Sequence, residues 1–378
     1  MRIESEIKEL TSIIMKDKEF FWNHPEAGFK EFETSKYIIE RLKQLGFTEI
    51  NTQIAKTGIV AVLHGKQEHP CILLRSDMDA VCMDSSGRMK HTCGHDAHMS
   101  ILLAVSELLF KHKNELQGTV KILFQPAEDD IGGAKPMIDE GVLNHPKVDK
   151  VFGLHVWSEL PHGTIGIKDG PIMASTDPFE ITIEGKGGHA AIPEKCINPI
   201  HAVSKIIEQM QQIEQQYNIY EKNVVLGITS VHGGSTTNVI PDTVQMKGIC
   251  RTYDNDIRIN IKQQLQEIIK IISEETNTII VLHHIEERPV VVNWPDESKT
   301  ITRLAADIVG EENVVKDYKT MCAEDFAFFL QEVPGAFVFI GCQQEEYYPQ
   351  HNENFKVDEE SILLGTQMMY NIAKEYLF

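Results

Sequence analysis

Three short apolar runs in the first half of the chain each stop at a cluster of polar, metal-capable residues. Cys71-Ile72-Leu73-Leu74 leads into Arg75-Ser76-Asp77-Met78-Asp79. Val120-Lys121-Ile122-Leu123-Phe124 leads into Gln125-Pro126-Ala127-Glu128-Asp129. Lys150-Val151-Phe152-Gly153-Leu154 leads into His155. Near-continuous apolar runs of this length, alternating with helix-like stretches such as 99–112, are the pattern of parallel strands buried on both faces. In an open parallel sheet, ligands bind beyond the carboxyl ends of the strands. All three clusters fall at that edge. The fold class expected is therefore α/β, a mainly parallel sheet with helices on both faces.

The rest of the chain extends this reading. Helix patterns cover 5–20 and 31–45, the second ending at Gly46, and a further strand is expected at 58–63. Near residue 177 the pattern changes. The stretch 179–184 alternates like a half-exposed strand. It is followed by a helix at 198–216, strands at 224–231 and 243–251, a helix at 255–274 and a strand at 278–285. That β-α-β-β-α-β order is the ferredoxin-like split unit. After 289 the α/β pattern resumes, with a strand at 335–340 and a closing helix at 358–376. A chain of 378 residues has room for two domains. The expected division is 1–176 with 289–378, and an inserted domain at 177–288.

Charge and cysteine use narrow the partners. A formal net charge of −20 repels nucleic acid and anionic lipid, so neither is expected as a partner. No segment approaches the ~20 apolar residues that span a bilayer, and the start of the chain does not read as a signal peptide. Seven scattered cysteines, an odd number, read as reduced thiols in a cytoplasm. Six read as small buried apolar residues. Cys93 stands apart because of its neighbours.

Those neighbours form the densest ligand cluster of the chain, His91-Thr92-Cys93-Gly94-His95-Asp96-Ala97-His98. Thiol, imidazole and carboxylate are the donors that bind zinc-like ions. Cys93 with His95 makes a metal pair, and His155 gains weight from its place at a strand end. Asp77 and Asp79 are open to two roles, direct ligation of an ion or support of a ligand histidine. Asp96 suits a helix first turn, where a negative charge is favourable. Two other chemistries remain open: a thiol hydrolase with Cys93 as nucleophile and a histidine base, and a catalytically silent metal-binding scaffold.

Six motifs, in order along the chain, carry a resemblance. They are Arg75–Asp79, His91–His98, Gln125–Asp129, Gly153-Leu154-His155, Gly187-Gly188-His189-Ala190-Ala191 and His351-Asn352-Glu353-Asn354-Phe355. Together they resemble the aminoacylase/carboxypeptidase family of dinuclear metallohydrolases. The branch is that of hippurate hydrolase, the plant indole-acetyl-amino-acid hydrolases and N-acetyldiaminopimelate deacetylase. The resemblance implies two divalent ions per chain, zinc or manganese, with cobalt or nickel able to substitute. It puts their ligands at Cys93, His95, Asp129, His155 and His351, and the general acid/base at Glu128. It implies that the inserted domain is a lid that also makes a homodimer. From that domain His189 would stabilise an oxyanion in the partner's site, and Asn238 and Arg251 would bind substrate. The expected reaction is amide hydrolysis of an N-acyl amino acid, with a carboxypeptidase or dipeptidase as the alternative. The sequence departs from the family in a short 80–90 loop, in Asp129 where glutamate is common, in Glu194 where histidine is frequent and in Asn198 where aspartate is.

Overall fold

A computed structural model describes residues 2–83, 86–130, 132–218, 223–285 and 287–378. The chain divides into two compact units. One comprises Met1–Gly170, Val292–Tyr318 and Glu324–Phe378, the other Pro171–Val291 and Lys319–Ala323.

The larger unit is built on an eight-stranded sheet. Its four central strands are Thr119–Gln125, Cys71–Asp77, Lys150–Pro161 and Gly335–Gln343, in that spatial order, and all run parallel. Antiparallel strands Gly58–His64 and Glu49–Ile54 extend one edge. Every residue of the Cys71–Asp77 and Thr119–Gln125 strands is buried. Such strands need cover on both faces because no polar face is available to water. On one face Ile72, Leu74, Ile122, Phe124 and Leu154 pack with the helices Arg2–Asn23, His95–Lys111 and Glu359–Leu377. On the other, Gly153 lies tight against Phe326 and Phe337. Deleting a large side chain from such a core typically costs about 3–5 kcal/mol.

The smaller unit is an antiparallel sheet of Val225–His232, Thr243–Arg251, Asp177–Glu184 and Ile279–His284, in that spatial order. Helices Pro199–Asn218 and Asn255–Thr276 bury Ile206, Met210, Ile261 and Leu265 against Phe179, Ile181 and Met246. The second helix is capped by Asp254, whose carboxylate accepts from the Asp256 and Ile257 N–H groups. This is the ferredoxin-like order expected from the alternation. The Lys319–Ala323 stretch joins this unit through backbone bonds, among them Thr320 N–H to the Ile172 carbonyl. Among the described residues no helix is long and apolar enough to cross a membrane.

Candidate metal centre

The sheet edge collects the polar clusters. Asp77 ends its strand and Asp79 lies two residues on. Glu128 and Asp129 follow the Thr119–Gln125 strand. His155 is not at a strand end: its strand runs on to Pro161, and His155 lies inside it opposite Phe339. The helix after the cysteine cluster begins at His95, not at Met99 as the apolar run alone indicates, so His95, Asp96 and His98 share its first turn. The backbone between Cys93 and His95 is not extended. Gly94 takes φ +99°, and a Cβ there would sit 2.4 Å from Val156 Cγ2. Glycine is the residue that reaches this left-handed conformation without strain. The turn brings Cys93 and His95 to one side.

Donor atoms of Cys93, His95 and His155 lie within 4.8 Å of one another, and so do those of Cys93, Asp129 and His351. Cys93 belongs to both groups. Its Sγ is 3.5 Å from His155 Nε2. Asp129 bridges the groups, with one oxygen 3.6 Å from His95 Nε2 and the other 3.4 Å from His351 Nε2. The hydrogen bonds assign the tautomers. His95 Nδ1–H donates to the Asp79 carbonyl at 2.9 Å and His155 Nδ1–H to the Val156 carbonyl at 2.6 Å. Each ring therefore turns its Nε2 to the centre, the arrangement second-sphere partners impose on metal-binding histidines.

Two atoms show that this donor set suits a cation. His95 Nε2 and Asp129 Oδ2 are buried and have no hydrogen-bond partner. Burying such atoms unpaired is costly. A divalent ion between thiol, imidazole and carboxylate would satisfy both. Burial, with the Asp129 charge, pushes the Cys93 thiol well above its usual range. Without a cation beside it the thiol is therefore held in its protonated form. Burial also opposes ionisation of Asp129, yet its hydrogen bond with His351 and the other imidazoles around it hold it below the carboxylate range.

A second layer fixes these groups. Asp79 accepts the Glu128 N–H at 2.8 Å and the Asp129 N–H at 2.9 Å. Asp77 accepts from His98 Nδ1 at 2.7 Å, and His98 Nε2 accepts the Val156 N–H at 3.0 Å. With both nitrogens engaged, His98 has no lone pair to offer an ion. Asp96 pairs with Lys18 at 3.0 Å. Beneath lies Arg75, fully buried, donating to Asp77, Gln125, Glu324 and Asp325. Burial and the neighbouring carboxylates outweigh Arg75 at Glu324 and raise its pKa to about 8. Glu128 lies beside this cluster, its Oε1 3.4 Å from the Asp325 N–H. Glu324, Asp325 and the buried Glu31 carry no ligand-like spacing, and the sequence reading missed all three.

His189, Asn238 and Arg251 belong to the smaller unit. Strand Gly188–His189 pairs with Val239–Ile240, and the Ala190 N–H donates to the Asn238 carbonyl. Arg251 donates to the Met321 carbonyl at 2.6 Å. The short segment between Asp79 and His91 forms a β-ribbon of Val81–Cys82 and Met89–Lys90, with Asp84 and Ser85 outside the described residues.

The profile of peptidase family M20/M25/M40 matches residues 73–375. The chain belongs to this peptidase family. It is an M20 hydrolase. It is 33% identical to thermostable carboxypeptidase 2 of Saccharolobus solfataricus, over 96% of this chain and 95% of that one. It is 34% identical to the N-acetylcysteine deacetylase of Bacillus subtilis, over 93% of each. The Bacillus subtilis YxeP crystal structure, described as a dinuclear metal-binding peptidase of the M20 family, superposes with a TM-score of 0.82. Identity is 31%, covering 97% of this chain and 98% of that one.

Proposed function

We propose that this M20 hydrolase is a metal-dependent amidohydrolase. It cleaves N-acyl amino acids, with an acetyl or aromatic acyl group, to a carboxylate and a free amino acid. The observation that carries this reading is the pair of donor groups sharing Cys93, with Glu128 next in the chain to the donor Asp129. Cys93, His95, Asp129, His155 and His351 would hold two divalent ions, zinc or manganese. Such ions polarise an amide carbonyl and lower the pKa of water. Glu128 takes the proton of the attacking water and delivers it to the departing amine nitrogen, one carboxylate serving as base and then acid. Asp79 accepts the Glu128 and Asp129 N–H groups and so holds the backbone that carries both side chains. Asp77 fixes His98, which in turn holds the His155 strand through Val156.

His189 in the smaller unit is assigned to the developing oxyanion, and Asn238 and Arg251 to the substrate. An arginine fork suits a carboxylate. A homodimer through this unit completes the site. Its support is the apolar side chains exposed on both edge strands, Val225 and Val231 on one and Ile279 and Val281 on the other. Free cysteines fit a reducing cytoplasm. The likeness to a carboxypeptidase favours a second reading, cleavage of a C-terminal peptide bond at the same centre.

The deciding experiment combines metal analysis of protein purified without added ions with amino-acid release from N-acetylcysteine, N-benzoylglycine and alanylalanine. Two ions per chain and faster release from the N-acyl substrates are expected. Preference for the dipeptide favours the second reading. Activity that survives exhaustive chelation overturns both.

A further inference from the structure

Glu31 is a buried carboxylate that its own helix does not use. It occupies the N-cap position of helix Phe32–Leu45, yet its side chain makes no capping bond. The Glu33 and Thr34 N–H groups are taken instead by Glu26, at 3.1 and 2.9 Å. Glu31 reaches across to a distant segment. Its Oε1 accepts the Ala127 N–H at 2.9 Å, and its Oε2 accepts the Thr57 hydroxyl at 2.6 Å. The side chain is fully buried. A buried carboxylate is costly unless hydrogen bonds compensate it, and here both oxygens are bonded.

What surrounds it is the turn that presents Glu128. Three consecutive N–H groups end on two buried carboxylates: Ala127 on Glu31, and Glu128 and Asp129 on the two oxygens of Asp79. Ala127 has φ +53°, a left-handed conformation that is unfavourable for a side-chain-bearing residue. Gly28 lies close beneath it, since a Cβ at that position would be 2.8 Å from the Ala127 Cβ. Strained residues of this kind persist where the surroundings over-determine them, and they gather at functional sites. Asp79 alone holds the second and third amides, while Glu31 holds the first, at the strained residue itself.

We propose that Glu31 is a positioning residue that locks the Ala127 turn and so aims the Glu128 carboxylate. The role rests on Glu128 being the general base. Burial raises the Glu31 pKa to about 7, so the site accepts a neutral side chain near neutrality. Glutamine, close in shape and still able to accept the Ala127 N–H, is therefore the conservative replacement. Alanine removes the acceptor, and aspartate shortens the reach.

The test compares Glu31→Ala, Glu31→Asp and Glu31→Gln with the wild type in two measurements. The first is amide exchange at Ala127 in metal-free protein, which needs no turnover. Exchange at Ala127 should quicken tenfold or more in the alanine and aspartate variants, with most protection restored by glutamine. The second is kinetics on the fastest-cleaved member of the N-acetylcysteine, N-benzoylglycine and alanylalanine panel. There kcat should fall about 10- to 100-fold with KM and bound metal unchanged, as expected for a misaimed base, and glutamine should recover most of the loss. Unchanged exchange in both Glu31→Ala and Glu31→Asp overturns the proposal. So does quickened exchange with kcat intact, which makes Glu31 purely structural. If Glu31→Ala does not fold, Glu31→Asp carries both readings. Should Glu128→Gln leave turnover intact, the base assignment fails, and the exchange result still reports separately on the turn.

Discussion

At the scale of single residues, Glu128 and Cys93 answer different questions. Glu128→Gln keeps shape and removes the proton acceptor. It is expected to lower kcat by roughly 10²- to 10⁴-fold while metal analysis still finds the wild-type content. Equal losses of metal and rate would make Glu128 a ligand instead. Cys93 contributes to both donor groups. Cys93→Ser should therefore lower the number of ions retained through gel filtration at both positions, whereas His155→Ala should weaken one. Loss of a single ion in the cysteine variant would show that the thiol serves one position alone.

At the scale of elements, the decisive local feature is the turn that starts the His95–Lys111 helix. Gly94→Ala has to overcome a positive φ and a 2.4 Å approach to Val156. A loss of about 2 kcal/mol or more is expected in urea unfolding of the metal-free protein; a change below about 0.5 kcal/mol would mean the turn relaxes. This scale also shows what a sequence can and cannot announce. The buried strands are legible, because short runs such as Val120–Phe124, apolar but for Lys121, leave few alternatives. The ferredoxin-like alternation is legible for the same reason. The helix start is hidden, since His95, Asp96 and His98 are polar by type yet buried. The strand through His155 looks shorter than it is because a histidine interrupts the apolar run. Glu31 and Glu324 are invisible: their partners lie 96 and 249 residues away, and no periodicity encodes such a distance. The return of Lys319–Ala323 to the smaller unit is a backbone pairing of the same long-range kind.

At the scale of the whole molecule, the Arg75 cluster ties stability to pH. One guanidinium faces Asp77, Glu324 and Asp325. Glu324 rises from an ordinary 4.5 to about 8. A carboxyl whose folded-state pKa lies above its unfolded one binds its proton more tightly in the fold. Its contribution is full below about pH 4.5 and is lost as pH climbs through about 8. Metal-free protein should therefore become easier to unfold between pH 5 and 8.5, and Glu324→Gln should flatten that trend in urea midpoints. Parallel slopes for the two proteins would refute the assignment. Chelation should abolish activity and lower the melting temperature, since ions that bind only the folded chain stabilise it by mass action. The five donors differ in shelter: His351 is 54% exposed, whereas Cys93, His95 and His155 are closed off from water. Stripping by a chelator should accordingly run in two phases, a quick departure from the His351 end and a slow one from the interior. An intermediate loaded with a single ion would then accumulate, and its residual turnover would tell which of the two cations is indispensable.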